Sequence, residues 1–201
     1  MIPIVLLEDS SFMFTGTKGF CLFESGEQSV SLGLLGLEER PKNVLADYLH
    51  KVSLVKKISS YNKPSRNRTV LVDGDRRIEL EDPLVHRWEA NSMREELENR
   101  DAFIFMFDGR EALEDVDYAI NVKVHLQFIN RVVNGLKVIV PIATFRKRDE
   151  EKYLGMHKLE SKFFLENQLG SSLLGFKIHD IVLANMESED HLAEIKKALF
   201  H

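Results

Sequence analysis

Cysteine is nearly absent. The 201 residues include one, Cys21, which excludes an intramolecular disulfide and fits a reducing compartment. Long apolar runs are missing as well, and none approaches the roughly 20 residues of a membrane span. Residues 2–7 are too short for the apolar core of a signal sequence and lack a basic segment before them. A cytoplasmic protein is expected, in which the sequon Asn67-Arg68-Thr69 stays idle. There is no basic excess: 27 Lys and Arg stand against 32 Asp and Glu, a formal net charge of -5. That balance excludes nucleic-acid binding driven by the whole surface. The seven histidines include no i, i+4 pair, so with one cysteine there is no zinc-ligand spacing. No G-x-S-x-G nucleophile elbow occurs either.

What is present is an ordinary globular composition, 44% hydrophobic and 29% charged, in a length that suits one domain, residues 1–201. The chain is organised around two continuous apolar runs, residues 102–107 and 137–144, joined by a helical pattern from about 111 to 133. Two such runs and one amphipathic helix make a βαβ crossover, with parallel strands buried on both faces. Phe103, Phe105 and Ile139 are therefore expected in the core. Ala119, Val122, Leu126, Ile129 and Val133 form the buried stripe of the helix.

The remaining elements follow from local signals. Residues 3–7 read as a first strand, 12–23 as a hairpin and 30–37 as a weakly marked strand. Pro41 opens a helix with Leu45, Tyr48, Val52 and Val55 on its inner face. Residues 59–68 read as a mobile loop, followed by a strand at 69–72. The pair Asp73-Gly74 then predicts a hairpin back through 77–80. Helices are predicted at about 82–99 and 149–169, the second burying Leu159 and Phe163. A strand at 178–183 and a helix capped by Ser188, with Leu192, Ile195 and Leu199 inside, complete the chain. The fold class is α/β, a three-layer sandwich with a mostly parallel central sheet and a β-rich N-terminal stretch.

Ligands of such sheets bind outside the carboxyl ends of the strands. Glu8, Asp9, Asp73 and Asp108 are the acidic candidates there, and Arg146, Lys147 and Arg148 the basic ones. The four carboxylates make a candidate Mg²⁺ cluster, with solvated loop carboxylates as the plainer alternative. A phosphate loop of the form G-x-x-x-x-G-K-[ST] needs glycines for close backbone approach. Residues 8–15, Glu-Asp-Ser-Ser-Phe-Met-Phe-Thr, have neither glycine nor lysine. Gly16-Thr17-Lys18-Gly19 has suitable residues in the wrong order.

From Thr69 onward the layout resembles the Ras-like small GTPase family. Val70-Leu71-Val72-Asp73 resembles the strand ending in the aspartate of D-x-x-G, and residues 101–107 resemble the family's fourth strand. Arg146-Lys147-Arg148-Asp149 falls at the guanine-recognition motif N-K-x-D, with lysine and aspartate kept. Leu183-Ala184-Asn185 stands where the family has an S-A-K-like loop. The resemblance implies a P-loop-GTPase-like topology with Asp73, Lys147, Asp149 and Ala184 as remnants of a nucleotide site. The phosphate loop is missing from residues 8–15, Arg76 replaces the D-x-x-G glycine, and no switch threonine is found. The pattern is similar to pseudo-GTPases. The expected function is thus a non-catalytic module binding protein partners through a rim of Glu8, Asp9, Asp108, Arg146 and Arg148, with no cofactor. Two alternatives stand beside it: a GTP-binding hydrolase using Mg²⁺ with an unconventional phosphate loop, and a receiver-like domain phosphorylated on aspartate. The acidic stretch Glu8-Asp9 resembles the first strand end of receiver domains, with Asp73 or Asp108 as the acceptor.

Overall fold

The computed structural model describes residues 29–52, 68–73, 75–81, 97–98, 100–133, 137–173, 176–178 and 180–200. The predicted strand at 3–7, hairpin at 12–23, loop at 59–67 and most of the helix at 82–99 lie outside the described residues. So do Glu8 and Asp9.

The described elements are β1 (Ser29–Gly36), α1 (Glu39–Val52), β2 (Arg68–Asp73), β3 (Arg76–Glu81), β4 (Ala102–Asp108), α2 (Gly109–Glu114), α3 (Val116–Val132) and β5 (Val138–Phe145). A 3-10 turn (Lys147–Asp149) and a π-helical turn (Glu151–Met156) follow. Then come α4 (Lys158–Leu173), β6 (Lys177–Ile178), β7 (Val182–Asn185) and α5 (Glu189–Phe200). The strands join in the order β2-β3-β1-β4-β5, with β6 and β7 in succession along the free edge of β5. Among the described strands only the β2–β3 pair is antiparallel. The expected hairpin at Asp73-Gly74 is therefore present, and the sheet is mostly parallel.

Burial on both faces follows from strand alternation. Phe103, Phe105 and Phe107 of β4 enter one core with Val122, Leu126 and Ile129 of α3 and Leu165 and Leu169 of α4. Ala102, Ile104 and Met106 enter the other with Leu45 and Leu49 of α1 and Leu192, Ile195 and Leu199 of α5. The three layers are α3 and α4, then the sheet, then α1 and α5. Phe103, Phe105 and Ile139 are buried completely, as a strand covered on both sides requires.

Four local expectations change. The crossover is two helices, because Asp115 adopts an extended backbone (φ -119, ψ 113) and its carboxylate accepts the amides of Asp117 and Tyr118. An aspartate in that position starts a new helix more readily than it continues one. In α1 the inner face runs through Leu45 and Leu49, with Tyr48 partly buried and Val52 exposed. The predicted strand at 178–183 is split into β6 and β7. In α4 Leu159 and Phe163 face solvent, while Ser161, Leu165 and Leu169 are buried. Phe163-Phe164-Leu165 is apolar at three consecutive positions, so periodicity does not fix the phase. A break at Gly155 (φ -88, ψ -113) separates the π-helical turn from α4.

Candidate functional site

β1 is the strand that the site is built on. Both its edges are used, one by β3 and one by β4, so no further strand fits beside it at the centre. The connection at the carboxyl end of β1 is therefore where a phosphate loop of this topology belongs, and residues 8–15 lie outside the described residues. Residues 36–43 read Gly-Leu-Glu-Glu-Arg-Pro-Lys-Asn. Set against G-x-x-x-x-G-K-[ST], they keep the first glycine and the lysine. Pro41 replaces the second glycine, and Asn43 the hydroxyl residue.

Geometry departs further than sequence. Only Leu37 and Glu38 separate β1 from α1. The Leu37 amide already donates to the Met106 carbonyl at 3.1 Å. Pro41 lies in the first helical turn, where its missing N–H costs nothing, and Glu39 suits the positive end of the helix dipole. Lys42 is buried, 8% exposed, on the same side of α1 as Leu45 and Leu49.

β4 contributes Asp108, which is buried and caps α2: its Oδ1 accepts the Glu111 amide at 2.9 Å. The Asp108 amide donates to the Tyr118 hydroxyl at 2.9 Å. Burial pushes the Tyr118 hydroxyl up to about 12, and nearby Glu38, Asp108 and Glu111 add to the effect. Glu38 lies against the same group. Burial raises its carboxyl above the ordinary value, Asp108 and Glu111 raise it further, and Arg146 opposes them. Replacing Asp108 by alanine removes the cap of α2, with an expected loss of about 1 kcal/mol in urea denaturation.

β5 brings Arg146 and Lys147, both exposed, and Arg148, also exposed. Asp149 is buried beneath them, with Oδ1 3.7 Å from Arg110 Nη1 and Oδ2 3.8 Å from Arg148 Nε. Arg110 also binds Glu114 at 2.8 Å. Glu114 further accepts the Tyr153 hydroxyl and, at 2.9 Å, the Lys152 ammonium. Tyr153, Arg110 and Lys152 in that order hold its carboxyl down at about 2. From β7, Ala184 is buried in the core. Its neighbour Asn185, also buried, donates from Nδ2 to Glu150 at 2.8 Å and accepts the Glu187 amide at Oδ1.

The structure thus brings Asp108, Arg146, Lys147, Arg148, Asp149 and Ala184 to one end of the sheet. It does not bring Asp73 there. β2 runs antiparallel to β3, so Asp73 pairs with Arg76 at the start of β3. That is the opposite end from the rim. A D-x-x-G-like strand end falls instead after Glu81, at the close of β3. Asp73 and Asp108 thus stand at opposite ends of the sheet, so the four carboxylates do not form one Mg²⁺ cluster, and Glu8 and Asp9 lie outside the described residues. Among the described residues no three His, Cys, Asp or Glu side chains are placed to hold a metal. Receiver domains order their strands 2-1-3-4-5, all parallel; the parallel strands β3, β1, β4, β5 and β7 follow that same order here, and the antiparallel β2 at the edge is what departs from it. Sequence reading missed Glu38, Lys42 and Arg110. Gly36 and Lys42, six residues apart, carried a signal for the first two.

A mostly parallel sheet in this order, with an antiparallel β2 at its edge, is a small-GTPase-like fold. One solved structure it is similar to is that of an ADP-ribosylation-factor-like GTP-binding protein, the small COPII coat GTPase SAR1 from Encephalitozoon cuniculi, in complex with GDP. The two share 17% identity at a TM-score of 0.54, over 89% of this chain and 78% of that one. No protein-family model matches the chain. No curated protein matches it either. Among the described residues no helix is long and apolar enough to cross a membrane.

Proposed function

We propose that this chain is a non-catalytic, GTPase-like interaction module of the cytoplasm that binds a protein partner at the carboxyl rim of its sheet, without nucleotide. The observation that carries this reading is the β1–α1 connection. Two residues cannot wrap a phosphate, the Leu37 amide is committed to Met106, and the next side chains are Glu38 and Glu39. Carboxylates beside a triphosphate repel it, and Asn43 supplies no hydroxyl for Mg²⁺. These residues do not fit GTP with Mg²⁺. The base-motif positions point the same way, since Asp149 faces Arg110 and Arg148 and Asn185 is bound to Glu150. What remains open to solvent is a basic triplet, Arg146, Lys147 and Arg148, which suits steering of an acidic protein surface.

Lys42 at the lysine position of the loop pattern favours the second reading, an active GTP-binding protein. One experiment separates the two. Fluorescent GTP with Mg²⁺ is titrated into the protein, and pull-downs compare wild type with the triple variant R146E/K147E/R148E, circular dichroism serving as folding control. The module reading expects no saturable nucleotide binding and a partner lost in the variant. Micromolar or tighter GTP binding, or an unchanged set of partners, overturns it.

A further inference from the structure

Three charged side chains are buried among the described residues: Lys42, Asp108 and Asp149. Asp108 caps α2, and Asp149 lies 3.7 Å from Arg110 and 3.8 Å from Arg148. Lys42 alone of the three has no hydrogen bond and no ion pair among the described residues. A buried lysine is nearly always paired, because an ammonium stripped of water needs an opposite charge or acceptors in exchange. Lys42 is not sealed in, however. Among the described residues, the fully enclosed side-chain polar atoms without a partner are Arg77 Nε and Ser172 Oγ, so the Lys42 ammonium keeps an opening to solvent. Its direction follows from the helix. Helical side chains lean toward the N-terminus, and Lys42 stands in the first turn of α1, on the stripe of Leu45 and Leu49. The stem therefore leads from the core toward the carboxyl rim, where the positive end of the α1 dipole also lies.

We infer that Lys42 anchors the partner by pairing with one aspartate or glutamate side chain, which the partner inserts at the carboxyl end of β1. The inference rests on the rim reading proposed above and names the group that reaches its centre. Carboxylates of the chain itself lie near but are engaged otherwise. Glu38 stands with Asp108 and Glu111 and has Arg146 as its opposing cation. Glu39 is exposed, and Asp108 is committed to the Glu111 amide. Valence decides which anion enters from outside. A lone ammonium neutralises one carboxylate, whereas a phosphate with two or more negative charges keeps an excess that Glu38 and Glu39 repel. Delivery is the task of the exposed triplet Arg146, Lys147 and Arg148, which draws in an acidic protein surface, while Lys42 holds one side chain of it away from water. Exposed charges of this kind govern association, and a buried pair governs dissociation.

A fluorescein-labelled octaglutamate peptide, titrated into the full chain at low salt, tests the inference. Lys42→Met and R146E/K147E/R148E are the variants, and inorganic pyrophosphate is the competitor. Methionine keeps the length of the stem and removes the charge. Saturable binding by wild type is expected, weakened roughly tenfold in Lys42→Met, with the Lys42 Cε resonance shifting along the same curve. Lys42→Met should also melt at or above the wild-type temperature, since it buries no unpaired charge. Peptide binding equal in wild type and Lys42→Met, but lost in the triple variant, overturns the inference and leaves the rim reading standing. No binding by wild type, or binding indifferent to both variants, overturns the two together. Displacement of the peptide by micromolar pyrophosphate assigns Lys42 to phosphate and overturns the inference. A melting temperature of Lys42→Met well below wild type means that this chain itself supplies the ammonium with a partner, which is equally fatal.

Discussion

Phe105→Ala is expected to destabilise the protein by about 3–5 kcal/mol in equilibrium denaturation, lowering the melting temperature by roughly 10 °C. Phe105 is fully buried in the middle of β4, the strand flanked by β1 and β5. Its ring lies 6.1 Å from that of Phe107 and packs in the cluster that holds Val122, Leu126 and Ile129. Truncation leaves a cavity that cannot collapse, because its walls are a hydrogen-bonded sheet on one side and packed helices on the other. A melting curve near that of wild type would mean that the β4 core is assigned wrongly.

Gly36→Ala comes next, with an expected loss of about 1–3 kcal/mol. A methyl group there would stand 2.7 Å from the Met106 carbonyl oxygen and 3.1 Å from Met106 Cβ. Gly36 pairs with Met106 in the β1–β4 ladder, and the same carbonyl accepts the Leu37 amide. The obstacle is backbone in the centre of the sheet, so relief requires opening the ladder. Gly170→Ala in α4 is the contrasting control. It meets nothing within 4 Å, and alanine in a helix interior gains about 0.5–1 kcal/mol over glycine. Equal stability of the two variants would show that close approach of β1 to β4 is not what Gly36 serves. A glycine at this place looks like a phosphate-loop residue in sequence, yet its contacts give it a structural reason to be there.

The sequence by itself determined the α/β class, the parallel β4–β5 crossover, the β2–β3 hairpin and the inner face of α3 and α5. Each rests on a signal that burial writes directly into the chain. Apolar runs stay unbroken where a strand is covered on both faces, and apolar residues recur every three or four positions where a helix is covered on one. It also placed Asp108, Arg146, Lys147, Arg148 and Asp149 at strand ends, because charge abruptly replaces apolar residues there. Which strand lies at the centre was decided only in three dimensions. Residues 3–7 and 29–36 are both short and apolar, and pairing depends on which edges β3 and β4 leave free. That choice moved the phosphate-loop position to Gly36–Asn43, where Lys42 and Glu38 came into view. The hairpin signal says that β2 and β3 run in opposite directions but not which of them lies parallel to β1, so Asp73 went to the far end of the sheet once β3 took that place. In α4 the buried stripe runs through Ser161, Leu165, Leu169 and Ser172, which leaves Leu159 and Phe163 at the surface, a phase that three apolar residues in a row at 163–165 do not fix.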